Sequence, residues 1–496
     1  MYRKILFCIL GAMCMLMCEE VGGQEKTQTI KAGFFETDIT PAIGMERPGN
    51  YFKVFIREIR ESLKVRATFL TDGKLKVALV GIDIIGIPSE VSEPVRAALS
   101  DVQLLLSPSH AHNAGPGRNA KTPEYYSPLA KKLYEEETVR GDTTYLKHMV
   151  NQIITAVRMA EMRAEEVEFS FGRGSVEGVT FNRGFRMKNG QRATHPGKGN
   201  PDIVEPFAPI DTEVGAVGIW RKSDKSLLSC LVTFNCHATC ASSGGVNADW
   251  PGQMVRTIRA VMGENTGVSY IYGCAGDITQ IDNQSLSPTE SGPESSRTIG
   301  VSVGAEALKI LMKAKKGDIS TLKAGMDVIK LPRRKPSEKS LKEAEEIVKQ
   351  WKRDAAFRFA KSNLILGESI KHNPELECKI QSFQVGPLAI VAFPGELFST
   401  IGLEIKKRSK FPFTWVSSNT YSMGYIPTTD ALHPTKGGGY ETRLSASTCM
   451  PGTDVKMIEK ATEIISRFTP DKVPVGPQIK PVTTIWEYGS NLPEYE

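Results

Sequence analysis

Histidine is scarce in this chain, with seven residues in 496. Cysteine is nearly as sparse: nine in all, of which Cys8, Cys14 and Cys18 fall at the very start. The other six are Cys230, Cys236, Cys240, Cys274, Cys378 and Cys449, and no C-x-x-C pair occurs. A domain this large does not need disulfides to hold its core. The three cysteines around His237 raise the idea of a structural Cys/His zinc site, but Cys236 and His237 are neighbours in an apparent strand and face opposite sides. Buried small hydrophobes are the better reading of these thiols. Long runs of one charge sign are also absent. The net charge is +6, and the short runs Arg333-Arg334-Lys335 and Lys406-Lys407-Arg408 read as solvated faces. No nucleic-acid module is visible, so no nucleic-acid partner is expected.

Beyond Met17 no apolar run is long enough to span a bilayer. Arg3 and Lys4 followed by the apolar stretch Ile5–Met17 read as an export signal over residues 1–23. The mature protein is then periplasmic, cell-surface or secreted. Cys18, before Glu19-Glu20, is a candidate lipid-anchor position through which the protein would touch a membrane surface. A single domain over 24–470 follows, with a helical insertion at 337–370 and a Pro-rich tail at 471–496.

Periodicity fills in that domain. Strand-like runs fall at 76–85, 102–106, 167–171, 227–234, 268–272, 378–393 and 414–417. Helix-like runs fall at 89–99, 145–164, 252–262, 297–314 and 337–362, the last rich in Lys and Glu and read as a surface helix without a catalytic role. The mixture predicts an α/β class, a layered mixed sheet with flanking helices.

The scarce histidines make one stretch stand out. Ser107–Gly117 reads SPSHAHNAGPG, an apolar run ending in a loop with His110 and His112 one residue apart. Alternate side chains of an extended segment point the same way, so both imidazoles can face one cavity. Such a pair is equally a solvated polar pair until further ligands are found. More apolar runs deliver polar residues at their ends: FNCHAT (234–239), GDIT (276–279) and FPGE (393–396). Active-site groups of α/β folds collect in such loops. His148, His195, His372 and His433 lie in a helix-like stretch or polar loops and are read as structural or solvated.

The ordered set SPSHAHNAGPG, FNRG (181–184), FNCHAT, GDIT, FPGE, NTYSMGYIPT (419–428) and GGGYE (437–441) resembles the neutral/alkaline non-lysosomal ceramidase family. The family's members are zinc amidohydrolases that cleave the N-acyl bond of ceramide. The resemblance implies a Zn²⁺ held by His110, His237, Glu396 and Tyr425. It implies that His112 and Tyr440 act on the reacting group, that Asn182 and Arg183 contact substrate, and that Thr279 offers a hydroxyl to it. A ligand histidine usually donates its other N–H to a carboxylate or carbonyl, and Asp249 and Asp277 are candidates for that role; a turn or helix cap is the other reading of Asp249. With two nitrogens, a carboxylate and a phenol oxygen, the donor set suits zinc first, with iron or manganese as the alternatives, and zinc lowers the pKa of a bound water to about 7.

Departures from the family bear on the substrate. GDIT stands where the family has Gly-Asp-Val-Ser, and Ala238-Thr239-Cys240 stands where it has Thr-Ser-Met. The interval from Tyr421 to Tyr425 is one residue longer than the family's, and the chain is too short for the family's C-terminal sandwich domain. The expected activity is a zinc-dependent hydrolase of an N-acyl bond in a ceramide-like or smaller amphiphile. The alternatives are a hydrolase of an ester or glycan-derived amide, and a non-catalytic cell-surface binding protein on the same fold.

Overall fold

The computed structural model describes residues 29–49, 53–240, 245–288, 290–421, 423–490 and 492–494. The expected export signal and Cys18 lie outside the described residues.

Eight strands form the first sheet: β1 Lys31–Asp38, β2 Lys64–Thr71, β3 Lys76–Ile82, β4 Gln103–Pro108, β5 Glu165–Ser175, β6 Glu213–Arg221, β7 Leu227–Phe234 and β8 Gly267–Tyr272. Their order is β8-β7-β6-β5-β1-β2-β3-β4. All pairs are antiparallel except β3/β4 and β7/β8, which are parallel. The sheet coils until β8 lies against β2 and β3, where the Ser269 hydroxyl donates to the Arg66 carbonyl. Four strands form the second sheet: β9 Leu322–Pro332, β10 Glu375–Val385, β11 Leu388–Ala392 and β12 Phe413–Ser417, neighbours in that order with β11/β12 parallel.

The helices are α1 Ser89–Ala98, α2 Pro128–Glu137, α3 Thr143–Met162, α4 Asp249–Met262, α5 Pro293–Lys313, α6 Glu338–Lys349, α7 Ala355–His372, α8 Ser399–Arg408 and α9 Thr453–Ser466. They and the sheets stack in four layers, α/β/β/α, because both faces of each sheet are apolar. In β3, Ala78 and Val80 face α1, α3, α4 and α5, while Val77 and Leu79 face the second sheet. In β11 the alternation repeats: Leu388, Ile390 and Ala392 face the first sheet, and Ala389 and Val391 face α8 and α9. The period of two sorts these side chains between cores. α3 shows the helical counterpart. Asp142 caps it by accepting the Tyr145 N–H, and Leu146, Met149, Ile153, Val157 and Ala160 line its buried stripe.

Two expected elements divide. The run 378–393 is a hairpin, because Gly386 turns at φ +56° with Ile319 2.7 Å from where a Cβ would stand. The run 337–362 is two helices, α6 and the start of α7, separated where Trp351 adopts φ +48° and Asp354 caps α7 through the Phe357 N–H. This α6–α7 hairpin packs on α2 through a cluster of its own: Leu133, Ala344, Val348, Phe357, Ala360 and Leu364. Tail residues 470–490 carry no helix or strand, and Asp471 holds their start by accepting the Ser320 and Thr321 N–H groups. Among the described residues no helix is long and apolar enough to cross a membrane.

Candidate metal centre

The C-terminal ends of β4, β7, β11 and β12 open onto one cavity of about 400 Å³. Parallel pairing brings these ends together, since parallel strands finish on the same side. β4 delivers His110 and His112. β7 delivers His237, and an isolated bridge between Ala111 and Ala238 ties the two loops, with the His112 N–H donating to the Ala238 carbonyl. β11 leads to Glu396, which is paired in parallel register with Tyr425. His110 and Asn419 both sit at φ +60°, a conformation non-glycine residues adopt at a cost and which clusters at functional sites.

The imidazoles are oriented by backbone. The His110 Nδ1 lies 2.8 Å from the Ile85 carbonyl, and the His237 Nδ1 lies 2.6 Å from the Ala275 carbonyl. Each Nδ1 therefore carries the proton, and each Nε2 presents a lone pair inward. Those lone pairs meet another acceptor: the Glu396 Oε2 is 3.3 Å from the His110 Nε2 and 3.4 Å from the His237 Nε2. Tyr425 Oη is 3.4 Å from the His237 Nε2, and the His112 Nε2 is 3.3 Å from the His110 Nε2. Glu396 Oε2 is buried and receives no hydrogen bond from a donor among the described residues. A buried carboxylate oxygen wedged between two imidazole lone pairs is repulsive unless a cation sits among them. Two ligands about 2.0–2.1 Å from a tetrahedral ion lie roughly 3.3–3.4 Å apart, which is the spacing observed.

The electrostatics agree. Burial lowers the His237 pKa to about 4 and holds His112 well below its usual value, so both rings are neutral at pH 7. Burial alone would raise Glu396; its carboxyl falls well below the usual range only where His110 and His237 donate to it as protonated rings, so with neutral rings another positive charge has to take that place. Burial and the nearby Glu396 charge push the Tyr425 phenol well up. Three histidines, His110, His112 and His237, have ligand atoms within 4.8 Å of one another, so His112 offers a third nitrogen to the same ion. The donor set with Glu396 is favoured because, among the described residues, no donor hydrogen-bonds the buried Oε2 that lies between His110 and His237.

The wall beside this floor is built on Glu441, whose side chain is fully buried. It takes Arg183 Nε at 2.6 Å, Arg192 Nη1 at 2.9 Å and the Thr194 hydroxyl at 2.6 Å. Burial opposes its ionisation, but the two guanidiniums bring its pKa down to about 2. Arg183 also donates to the Gly276 carbonyl and lies over the Tyr425 ring. The Tyr440 ring packs edge-on against Tyr425. Gly49, at φ +83°, presses on His112, and a Cβ there would stand 3.0 Å from its Nδ1.

Of the residues singled out from sequence, His110, His112, Arg183, His237, Glu396, Tyr425 and Tyr440 all line this cavity. Asn182 and Thr279 do not; they belong to a short buried pair, Phe181–Asn182 with Ile278–Thr279, behind the wall. Asn182 spends its amide on Asp277 and the Gly184 N–H, and the Thr279 hydroxyl bonds the Gln280 side chain. Asp277 accepts from Asn182 and from the Ser399 N–H, and Asp249 accepts the N–H of Trp250. Neither aspartate orients His110 or His237, because backbone carbonyls already occupy both Nδ1 positions. His148, His195, His372 and His433 lie away from the cavity, and the six described cysteines are free and buried.

Several residues in or beside the cavity were not singled out from sequence. Asn419, whose amide donates to the same Ile85 carbonyl as His110, sits inside a motif read only for its tyrosines. Arg358, Phe359 and Ser362 come from α7, so the helical insertion forms part of the site rather than a remote surface. Their only sequence signal is an amphipathic helix, which does not distinguish a cavity wall from a solvated face.

No family model matches this chain, and no curated protein matches it. Solved structures do. A ceramidase complexed with C2 superposes with a TM-score of 0.66 at 15% identity, covering 91% of this chain and 77% of the other. A neutral ceramidase from Pseudomonas aeruginosa gives 0.65 at 16%, with the same two coverages. At that identity the likeness speaks for architecture, and along nine-tenths of its length this chain has the ceramidase-like fold.

Proposed function

We propose that this protein is a zinc-dependent hydrolase that cleaves an N-acyl bond, with the ion held by His110, His237, Glu396 and Tyr425. One observation carries the reading: a buried carboxylate oxygen flanked at 3.3 and 3.4 Å by two imidazole nitrogens, with no donor to relieve it among the described residues. The likeness to ceramidase structures supports the hydrolase class. Zinc in such a site lowers the pKa of a water to about 7 and polarises a carbonyl.

The chain's own groups supply the rest. Amide hydrolysis joins a water oxygen to the carbonyl carbon, breaks the C–N bond and moves a proton from the water to the departing nitrogen. His112 is neutral, lines the cavity and is held by Gly49, so it is placed to take that proton and return it. Tyr440 lines the same cavity and offers a phenol to the carbonyl oxygen as charge develops there. Arg183, fixed by Glu441 and the Gly276 carbonyl, stiffens the wall against Tyr425. An ester fits the same chemistry. A second reading follows from the three-histidine cluster, in which His112 is a ligand rather than a proton carrier.

Metal analysis of the purified protein tests the proposal. About one zinc per chain is expected, and His110→Ala or His237→Ala should lose zinc and hydrolysis together. Full zinc occupancy in both variants would sink it. His112→Ala separates the two readings: zinc is retained if His112 moves protons and lost if it is a ligand.

A further inference from the structure

The metal cavity does not end at the metal. A second cavity of about 430 Å³ adjoins it, reaching between α2 and α7. Gly49, Arg118, Arg358, Ser362 and Ser445 line both, so they form the border between the two. Two of those five are arginines. Across both cavities the cationic lining residues are Arg118, Arg183, Arg358 and Lys361, and the one carboxylate is Glu396.

Each of these charges has a different standing. Glu396 is committed to the metal. Arg183 is neutralised by Glu441, and the Lys361 ammonium donates to the Glu137 carbonyl. The Arg118 side chain makes no ion pair or hydrogen bond among the described residues, and it is exposed at the cavity mouth. Arg358 brings a second guanidinium to the same border, and its charge reaches Lys361. A border carrying two guanidiniums and no carboxylate is a poor match for an uncharged head group. Guanidinium forks match the planar oxygens of an oxyanion. The adjoining cavity offers Tyr126, Tyr134, Thr138 and Ser369 beside Val139, Ile365 and Leu366, so it can seat a polar group with an apolar part next to it.

We propose that Arg118 and Arg358 form an oxyanion subsite, so that the preferred substrate is an N-acyl compound whose head group carries a carboxylate, sulfonate or phosphate. The proposal rests on the hydrolase reading for the word substrate, but the subsite itself is a matter of binding.

The test therefore uses ligands that bind without being cleaved. Four head groups of similar length are compared on one dodecanoyl chain: ethanolamine, ethanolamine phosphate, taurine and β-alanine, each with CH₂ replacing the amide NH. Titration calorimetry on the full zinc-loaded protein gives the affinities. At least one anionic ligand should bind about tenfold or more tighter than the neutral one, the scale of one charge-assisted hydrogen bond, and the tightest identifies the oxyanion. Arg118→Gln and Arg358→Gln should each shrink that ratio, and the double variant should bring it to about one with zinc content unchanged. Arg118→Lys should keep most of it. Equal affinity for all four ligands in the unaltered protein would overturn the proposal, as would a preference that survives in the double variant. Hydrolysis of the parent amides is measured in parallel. A charge preference without any hydrolysis would leave the subsite standing and sink the hydrolase reading; hydrolysis without a charge preference would do the reverse.

Discussion

The floor and the wall of the cavity are built by different means. The floor, His110, His237, Glu396 and Tyr425, hangs from strand ends whose far sides are packed in the three large cores. Its side chains are fixed by backbone carbonyls and by strained backbone at His110 and Asn419. The wall contributed by α7 stands on a separate cluster of six buried residues and one clasp, Glu137 with Arg353 and Lys361. Chemistry that must hold an ion to a few tenths of an ångström belongs on the first kind of support. Recognition of a head group tolerates the second, because small satellite clusters open more readily than large cores.

That contrast can be broken at either end. The largest effect is expected on the floor, where His110→Ala and His237→Ala should abolish activity because the ion is lost. Next comes His112→Ala, which should keep zinc and lower turnover by about 10²–10⁴-fold; metal content and rate measured on one preparation check this. On the wall, Phe357→Ala should cost about 3–5 kcal/mol where the hairpin packs. Its amide hydrogens in α6 and α7 should exchange faster while those of β4 and β7 do not, and zinc should stay bound. Faster exchange in all four elements would mean that floor and wall share one cooperative unit.

The smallest effect concerns pH. The folded-state pKa of Glu441 is about 2, below its ordinary 4.5. A depressed carboxyl contributes stability above the unfolded value and loses it as pH falls through the folded one. Denaturant midpoints should therefore drop between about pH 4.5 and 2, by on the order of a few kcal/mol. Glu441→Gln should be less stable at pH 7 and show a flatter acid limb; an unchanged slope would mean that the ion pair is not the acid-sensitive element.

Sequence legibility follows the same division. The gathering of His110, His237, Glu396 and Tyr425 on one cavity was legible because each follows an apolar run. The strand and helix runs read from periodicity lie within a few residues of observed elements, but β1, β2, β6 and β9 and helices α2, α8 and α9 were not read. β1 and β9 carry charged or half-exposed positions. β2 and β6 are buried along most of their length and end at the turn residues Asp72-Gly73 and 223–226, so their signal was present in the sequence. The orienting partners of the histidines were assigned to Asp249 and Asp277, but backbone carbonyls fill the role, and a carbonyl leaves no mark in a sequence. Thr279 was read as a substrate hydroxyl from its motif position. It is buried behind the wall, so head-group recognition has to be sought elsewhere on the cavity. Arg118 and Arg358 lie far apart in the chain, and only folding makes them neighbours of one border.

The four proposed ligands come from both sheets. His110 and His237 follow strands of the first, and Glu396 and Tyr425 follow strands of the second. An ion held by all four is then a cross-link across the sandwich, drawing together segments separated by most of the domain. A ligand that binds only the folded state adds RT ln(1 + [L]/Kd) to its stability, about 2.7 kcal/mol at a hundredfold excess over Kd. If zinc occupies this site, the chain's resistance to unfolding and to proteolysis should follow the free zinc concentration, and chelation should loosen the two sheets at the cavity end.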